Sequence, residues 1–300
     1  MKRDEFLKTA AGGLLGLVGT TPTLLRGLLT PSPPDAVWVE NGEPVELIRA
    51  ALEAMGGIER FVSRGDVVVV KPNMGFDRPP QAAATTNPDL VVEVIRQCFH
   101  AGAKQVKVFD RTCNNPLRCY QNSQIEAQAK AAGAKVTQVR TQRFVNKAIR
   151  HGVTLTEWPI YRDYLDADKV INVPIAKHHN LCRVTLGLKN LMGAMGGERG
   201  TIHSGFSQKL IDITAEILPT LTIIDAYRVL TANGPSGGSL NDVRELRTLI
   251  ISPCTVTADY LGTQLFDISP TSIGYLREAL RRNLNQYDLN TLNLKRISLS

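Results

Sequence analysis

The sequence predicts an α/β fold with three layers, in which helices cover both faces of a mostly parallel central sheet. Apolar runs of strand length alternate along the chain with segments whose apolar residues recur at helical spacing. The strand-like runs, such as "DVVVV", are apolar throughout, which is typical of strands buried on both faces. We therefore expect one α/β domain over residues 37–300, without an internal repeat.

The first half of this domain has clear local signals. "EPVELIRAALEAMGGIERF" predicts a helix that ends near Gly56 and Gly57. "TNPDLVVEVIRQCFHAGA" predicts a second helix, with Asn87 as N-cap, Pro88 at the first helical position and Gly102 at the end. "DVVVVKPN", "KQVKVFD" and "KVTQV" are predicted strands, and "SQIEAQAKAAGA" is a predicted helix.

The second half continues the alternation. "NKAIRHGVTLTEW" predicts an edge hairpin that turns at His151 and Gly152. "ADKVINVPIA" predicts the fourth buried strand, "GFSQKLIDITAEILP" a helix and "LTIIDAYRVL" a strand. "RTLIISP" is the last predicted strand, and two helices are expected at about residues 254–268 and 272–283.

The N-terminal segment, residues 1–30, is organised as an export signal instead of a folded element. It has a charged start followed by a glycine- and alanine-rich, moderately apolar run. Its start resembles a twin-arginine signal in which Asp4 replaces the second arginine after Arg3. A Pro-rich linker follows at residues 31–36. We expect an exported protein of the periplasm or cell envelope, with an uncleaved membrane anchor or an amphipathic helix as alternatives for this segment.

The net charge and the spacing of the cysteines indicate which ligands and cofactors the protein binds. The formal net charge of +7 is spread thinly, which favours a local anion site over a nucleic-acid groove. The five cysteines contain no C-x-x-C pair, so we expect no iron–sulfur cluster. Cys113 and Cys119 share a polar loop and would form a disulfide in an oxidising compartment only if their geometry allows it.

Charged or metal-binding side chains follow four of the apolar runs. Because ligands bind at the carboxyl ends of the strands in open α/β sheets, these residues are expected to share one cleft. They are Lys71 and Asn73, Asp110 and Arg111, Lys177 with His178 and His179, and Asp225 with Arg228.

The candidate residues divide into three roles. The predicted catalytic residues, which also form a cationic cradle for phosphate or carboxylate, are Lys71, Lys177 and Lys189. The predicted substrate-binding residues are Asn73, Arg111, Thr185, Asn190 and Arg228. The predicted ligands of a divalent metal are Asp110, His178, His179, His203 and Asp225.

Several of these residues also have ordinary structural roles. Asp110 and Asp225 are of the type that caps turns after strands, and His203 fits a surface loop. His178 and His179 point to opposite sides of an extended chain, so at most one faces the cleft, and we choose His178. The glycine-rich "MGAMGGERG" and "ANGPSGG" match no nucleotide-binding loop, and the second could act as a lid.

Taken together, several blocks resemble the signatures of the family known as domain of unknown function 362. They are "VVVVKPN", "TNPDLVVEVIRQCFHAGAKQVKVFD", "ADKVINVPIAKHH" with "TLGLKNLMG", and "LTIIDA". The resemblance runs from about residue 40 to 265. Its most specific part is a K-x-H…T-x-x-x-K-N-x-x-G block, formed by Lys177, His179 or His178, Thr185, Lys189, Asn190 and Gly193.

The resemblance implies an α/β fold and the position of the site, but no established reaction. The family's K-x-H spacing points to His179 instead of His178. Members often carry an export signal, and many are fused to a ferredoxin-type domain whose four-cysteine motifs this chain lacks.

Our leading hypothesis is an exported α/β enzyme that uses a divalent metal, or lysine and histidine acid–base groups, on a small anionic ligand. The alternative is a non-catalytic binding protein or cofactor carrier with a redox partner. No nucleic-acid partner is expected, and contact with a membrane is expected only through the N-terminal segment.

Overall fold

The computed structural model describes residues 32–300, so the predicted export segment and Pro31 of the predicted linker lie outside it. The strands are β1 (Ala36–Glu40), β2 (Val67–Pro72), β3 (Gln105–Val108), β4 (Lys135–Val136), β5 (Phe144–Ala148), β6 (Glu157–Tyr161), β7 (Lys169–Val173), β8 (Ile175–His179), β9 (Arg183–Thr185), β10 (Leu221–Leu230), β11 (Val243–Ser252) and β12 (Leu294–Ser298). The helices are α1 (Pro44–Ala54), α2 (Pro88–His100), α3 (Pro116–Asn122), α4 (Ile125–Ala131), α5 (Arg162–Leu165), α6 (Gly187–Asn190), α7 (Phe206–Thr214), α8 (Thr255–Gly262) and α9 (Gly274–Arg281).

Most of the strands belong to one twisted central sheet. Its order is β12-β1-β11-β10-β7-β2-β3-β4, and β8 pairs with β10 and β9 beside this path. Within residues 32–300, six of the nine pairings in this sheet are parallel. The predicted mostly parallel α/β sheet is therefore confirmed.

Alternation along the strands separates the core into two layers. In β2, Val68 and Val70 pack into one apolar cluster with helices α1 to α4. Val69 points to the other face and packs into a cluster that includes residues of α7, α8 and α9. Because successive side chains of a strand point to opposite faces, one apolar run supplies both cores.

The start of α2 is fixed by its capping residues. The side chain of Asn87 accepts a hydrogen bond from the Asp89 backbone N–H at 2.9 Å, and Pro88 occupies the first turn of α2. This is the predicted N-cap. It fixes the start of a helix that packs on β2 and β3.

The structure corrects the sequence-based elements at several places, and the helices α3 and α5 were not predicted either. The hairpin β5–β6 forms a separate two-stranded sheet instead of an edge of the central one. The predicted strand "ADKVINVPIA" is divided at Pro174 into β7 and β8. The short β9 and the edge strand β12, which pairs in parallel with β1, were not predicted.

Two further observations concern the whole described region. All five cysteines are free thiols, and Cys113 is the exposed one, so the Cys113–Cys119 disulfide is not formed in this structure. None of the helices within residues 32–300 is long and apolar enough to cross a membrane.

Candidate functional site

A cleft of about 480 Å³ lies where β2, β3, β8, β9 and α6 end or begin. It gathers nine of the thirteen predicted site residues. These are Asn73, Asp110, Arg111, Lys177, His179, Thr185, Lys189, Asn190 and His203. The position agrees with the rule that open α/β sheets bind ligands at the carboxyl ends of their strands.

A buried ion pair lies directly behind the lining. Lys71 is fully buried at the end of β2, and its Nζ lies 2.8 Å from Asp110 Oδ1. The second oxygen of Asp110 accepts the Met74 backbone N–H at 2.7 Å. Burial lowers the pKa of Lys71, and the charge of Asp110 opposes this change. Asp110 is therefore compensated before any ligand arrives.

Gly193 closes over this ion pair. A Cβ at this position would overlap Asp110 Oδ1 and lie too close to Lys71 Nζ. The backbone of Gly193 also accepts the Arg111 N–H at 2.9 Å, which joins the loop after α6 to the end of β3. The glycine of the K-N-x-x-G block is thus required by close packing against charge.

Side-chain amides connect the strands beneath the cleft. Asn190 donates to Asn172 Oδ1 at 2.9 Å and accepts from Asn73 Nδ2 at 3.1 Å. Asn172 in turn donates to the carbonyl of Gly187 at 3.0 Å. Each amide side chain can donate and accept, so one chain of bonds orders β2, β7 and α6. Asn190 and Asn73 are positioned by this network.

Asp259 positions the short helix α6. Its carboxylate accepts the backbone N–H groups of Gly187 at 2.6 Å and Leu188 at 3.0 Å. Burial raises the pKa of Asp259 to about 7, and the two donated bonds oppose this. Lys189 follows immediately, so Asp259 fixes the backbone from which that lysine projects.

Lys177 is a buried cation without a carboxylate partner among residues 32–300. Its Nζ lies 4.2 Å from the ring centroid of Phe76, contacts the Ala84 carbonyl and lies 3.5 Å from Asn73 Oδ1. Burial, followed by the charge of Lys189, lowers the pKa of Lys177 to about 7. Its amine therefore changes charge near neutral pH.

Two more polar groups of the lining are left for a ligand. Thr185 stands opposite Lys177 in the β8–β9 pair, and both side chains therefore lie on one face. Thr185 is 3% exposed, and its Oγ1 has no hydrogen-bond partner among the described residues. Lys189 is half-buried, and within residues 32–300 its Nζ forms neither an ion pair nor a hydrogen bond. Burial lowers its pKa.

The side chains of His178 and His179 point to opposite faces of β8, as expected for consecutive residues of a strand. His179 lines the cleft, and burial, together with the charges of Lys189 and Lys177, lowers its pKa to about 3. It is therefore neutral at physiological pH, and its Nδ1 accepts the Leu181 N–H at 3.1 Å. His178 points away, and its Nδ1 accepts the Gly234 N–H at 3.1 Å. Of the two histidines that the sequence left as candidates, the structure places His179, and not His178, in the lining of the cleft.

Asp225 and Arg228 do not belong to the cleft, because β10 continues through both residues to Leu230. Asp225 is fully buried and accepts the N–H groups of Asn87 at 2.7 Å and Tyr227 at 3.0 Å. Burial raises its pKa to about 6. Arg228 pairs with Glu245 at 3.5 Å. Both residues have structural roles in β10 and its surroundings.

The predicted metal ligands are consequently not assembled as one set. His178 and Asp225 lie outside the lining, and Asp110 is engaged by Lys71. Within residues 32–300, no three or more histidine, cysteine, aspartate or glutamate side chains are grouped so that they could hold a metal ion. Metal binding itself stays a prediction.

Sequence patterns missed several lining residues, above all Arg199, Cys113 and Phe76. Arg199 donates to the carbonyls of Arg111 at 2.9 Å and Thr112 at 2.8 Å. Arg111 donates to the carbonyls of Met195 and Gly197, each at 2.9 Å. The only available signal for Arg199 was a charged residue inside a glycine-rich loop beside the K-N block.

Comparisons with known proteins agree with this architecture. A family model described as "Domain of unknown function (DUF362)" matches residues 68–264. A thylakoid-associated protein of Synechocystis sp. is 27% identical over 254 residues, which cover 82% of this chain and 77% of that protein.

A solved structure shows the same kind of fold. The lactate racemase apoprotein from Thermoanaerobacterium thermosaccharolyticum matches with a TM-score of 0.50 and 12% identity, over 82% of this chain. The match spans 59% of that protein's length. At this identity the likeness shows the α/β fold alone.

The buried pair gives a stability prediction. Lys71→Met should lower the free energy of unfolding by about 3–5 kcal/mol, because it leaves Asp110 buried without its cation. Adding Asp110→Asn should recover part of this loss, as measured by chemical denaturation. Lys107→Met is the matched control, since Asp163 keeps a second cation, Arg143, at 2.8 Å. Losses in the double variant that equal the sum of the single losses would contradict the coupling.

Cys113 gives a test of the cleft's charge. Burial lowers the pKa of Lys177 and Lys189, and a thiolate at Cys113 acts in the opposite direction on both. Iodoacetate should therefore alkylate Cys113 several-fold faster, relative to iodoacetamide, than it alkylates free cysteine at low salt. The excess should shrink at high salt and in Lys189→Gln.

Mass spectrometry locates the label, and Cys113→Ser is the control because the other four cysteines are buried. A ratio equal to that of free cysteine would show that the cleft does not concentrate anions.

Proposed function

The chain belongs to the family described as domain of unknown function (DUF362), and on this premise we propose that it binds a small anionic ligand in the cleft and transfers protons through Lys177. One observation carries the proposal. Lys177 and Lys189 face the same cavity without carboxylate partners among the described residues, beside the unpaired hydroxyl of Thr185.

Electrostatics favour an anion over a neutral ligand. The charge of Lys189 lowers the pKa of Lys177, so the two cations repel each other inside a partly desolvated cavity. Asp110, the carboxylate of the lining, is already neutralised by Lys71. An anion between Lys177 and Lys189, which have no carboxylate partner among the described residues, would relieve their repulsion and gain charge-assisted hydrogen bonds.

The pKa of Lys177 favours a proton-transfer role. A general base works best when its pKa lies near the operating pH, and burial lowers that of Lys177 to about 7. In its neutral form Lys177 would accept a proton from the bound ligand. The resulting ammonium would be stabilised by the ligand's own negative charge, and the same group would return the proton to the product.

Small carboxylates are the first compounds to test. Lactate belongs to this class, and it enters only as a test compound because the lactate racemase apoprotein shares the fold at 12% identity. The alternative function, a non-catalytic carrier, predicts the same binding without turnover. The two roles are therefore separated by an exchange experiment after binding is measured.

Binding should depend on pH in a defined direction. The ordinary pKa of lysine is 10.5, and burial lowers that of Lys177 to about 7, so its charge is present below pH 7 and lost above it. Carboxylate affinity, measured by titration calorimetry, should therefore fall by up to about tenfold from pH 6 to pH 8. Lys177→Met should remove this dependence, and Lys189→Gln should weaken binding at both pH values.

Three controls sharpen this measurement. Arg228→Gln is the matched charge control, because Arg228 lies outside the lining and should not affect affinity. Chelator should leave binding unchanged, and a complete loss would replace the lysine site by a metal site. Proton NMR in D₂O then follows exchange next to the carboxylate, and binding without exchange would favour the carrier.

We further propose that residues 1–30 direct the protein to the cell envelope. The support is the export-like pattern of this segment and the similarity to a relative that is named a thylakoid-associated protein. In a bacterial host, the full chain should appear in the envelope fractions. Arg3→Ala with Leu7→Asp should shift it to the cytoplasm, whereas an unchanged distribution would contradict the proposal.

A further inference from the structure

The lining of the cleft is divided into a cationic part and an apolar part. Four apolar side chains share the cavity with the lysines: Phe76, Leu181, Met192 and Pro235. Phe76, Met192 and Pro235 are half-buried, and Leu181 in the β8–β9 turn is 55% exposed. An inorganic anion would gain no favourable contact from these partly exposed apolar side chains.

Leu181 is the clearest sign of missing apolar contact. Among residues 32–300, five large apolar side chains are exposed: Leu117, Val153, Leu181, Leu218 and Leu240. Leu181 is the one that lines the cleft. The Leu181 N–H donates to His179, so the leucine is held at the rim beside the neutral imidazole. A ligand that reaches this rim would cover it.

The available donors favour a single negative charge. Arg111 Nη1 and Arg199 Nη1 and Nη2 already donate to backbone carbonyls at 2.8–3.3 Å, which limits the paired bonds that would otherwise grip a phosphate. The groups left are the Lys189 ammonium group, the Thr185 hydroxyl and the part of the Lys177 ammonium group that the Ala84 carbonyl does not engage. Two ammonium groups, one of which is readily deprotonated, balance a carboxylate better than a dianion.

The size of the cavity also favours an organic ligand with an apolar part. A volume of about 480 Å³ falls in the range of roughly 300–1,000 Å³ that holds organic ligands with a substantial apolar part. Acetate or phosphate would leave most of this space to water.

We infer that the ligand is an amphipathic monocarboxylate, whose carboxylate meets Lys177 and Lys189 and whose hydrocarbon part lies against Phe76 and Leu181. This inference rests on the proposed anion site and names the chemical class of its ligand. The reacting end of the molecule would then lie beside Lys177, and the apolar end would point to the rim of the cleft.

A series of linear carboxylates tests the inference on the full chain. Acetate, butyrate and hexanoate carry the same charge, so any gain in affinity comes from burial of methylene groups. We expect calorimetric affinity to rise about fourfold per buried methylene. Hexanoate should also displace inorganic phosphate.

Matched variants assign the effect to the rim. Leu181→Ser should lower the affinity for hexanoate several-fold and leave that for acetate unchanged. Leu117→Ser is the control, because Leu117 is 65% exposed and does not line the cleft. Lys189→Gln should weaken the whole series equally.

Two results would overturn the inference, and they are distinguishable. Equal affinity for acetate and hexanoate, both weakened by Lys189→Gln, would leave an anion site without an apolar subsite and disprove only the amphipathic class. Absence of binding by every carboxylate and by phosphate, at both pH values, would disprove the proposed anion site and the inference together.

Discussion

The buried pair of Lys71 and Asp110 organises the site, because it places opposite charges at the ends of two neighbouring parallel strands. Water does not solvate Lys71, so Asp110 must stay in place, and the Met74 N–H and the tight approach of Gly193 hold it there. One consequence is that Asp110, the one carboxylate of the lining among residues 32–300, is already paired with Lys71. The remaining cations of the cleft therefore lack a carboxylate partner within the described residues, and this is the basis of the preference for anions that we propose.

The features that local patterns control could be predicted from sequence. The continuous valines of β2 indicated a strand buried on both faces, and Asn87 with Pro88 marked the start of α2. The polar residues after β2 and β3 indicated the edge of the sheet where the cleft lies. Each of these signals depends on a few consecutive residues, and neighbouring elements do not alter them.

The site residues were assigned incorrectly where the pairing between strands determines the position of a side chain. Asp225 was assigned to the cleft because it follows the apolar run "LTII", although it lies within the predicted strand "LTIIDAYRVL". Pairing of β10 with β11 continues beyond it, from Ala226 with Thr248 to Leu230 with Val243. The choice between His178 and His179 depends on which face of β8 carries Lys177, and only the register with β9 fixes that face. The edge strand β12 is largely exposed, so its sequence, "LKRIS", carries little apolar signal.

Arg111 and Arg199 affect the rate at which a ligand associates with the cleft. Part of each guanidinium group donates to backbone carbonyls, so an incoming anion meets the full charge of both arginines but only some of their hydrogen-bond donors. Such charge accelerates diffusional encounter, whereas direct contacts set how long a ligand stays. Arrival at the cleft should therefore be governed by the two arginines and by ionic strength, and departure by Lys189, Thr185 and the apolar rim. The two arginines that join the segments after β3 and α6 would thereby also attract the ligand towards the cleft.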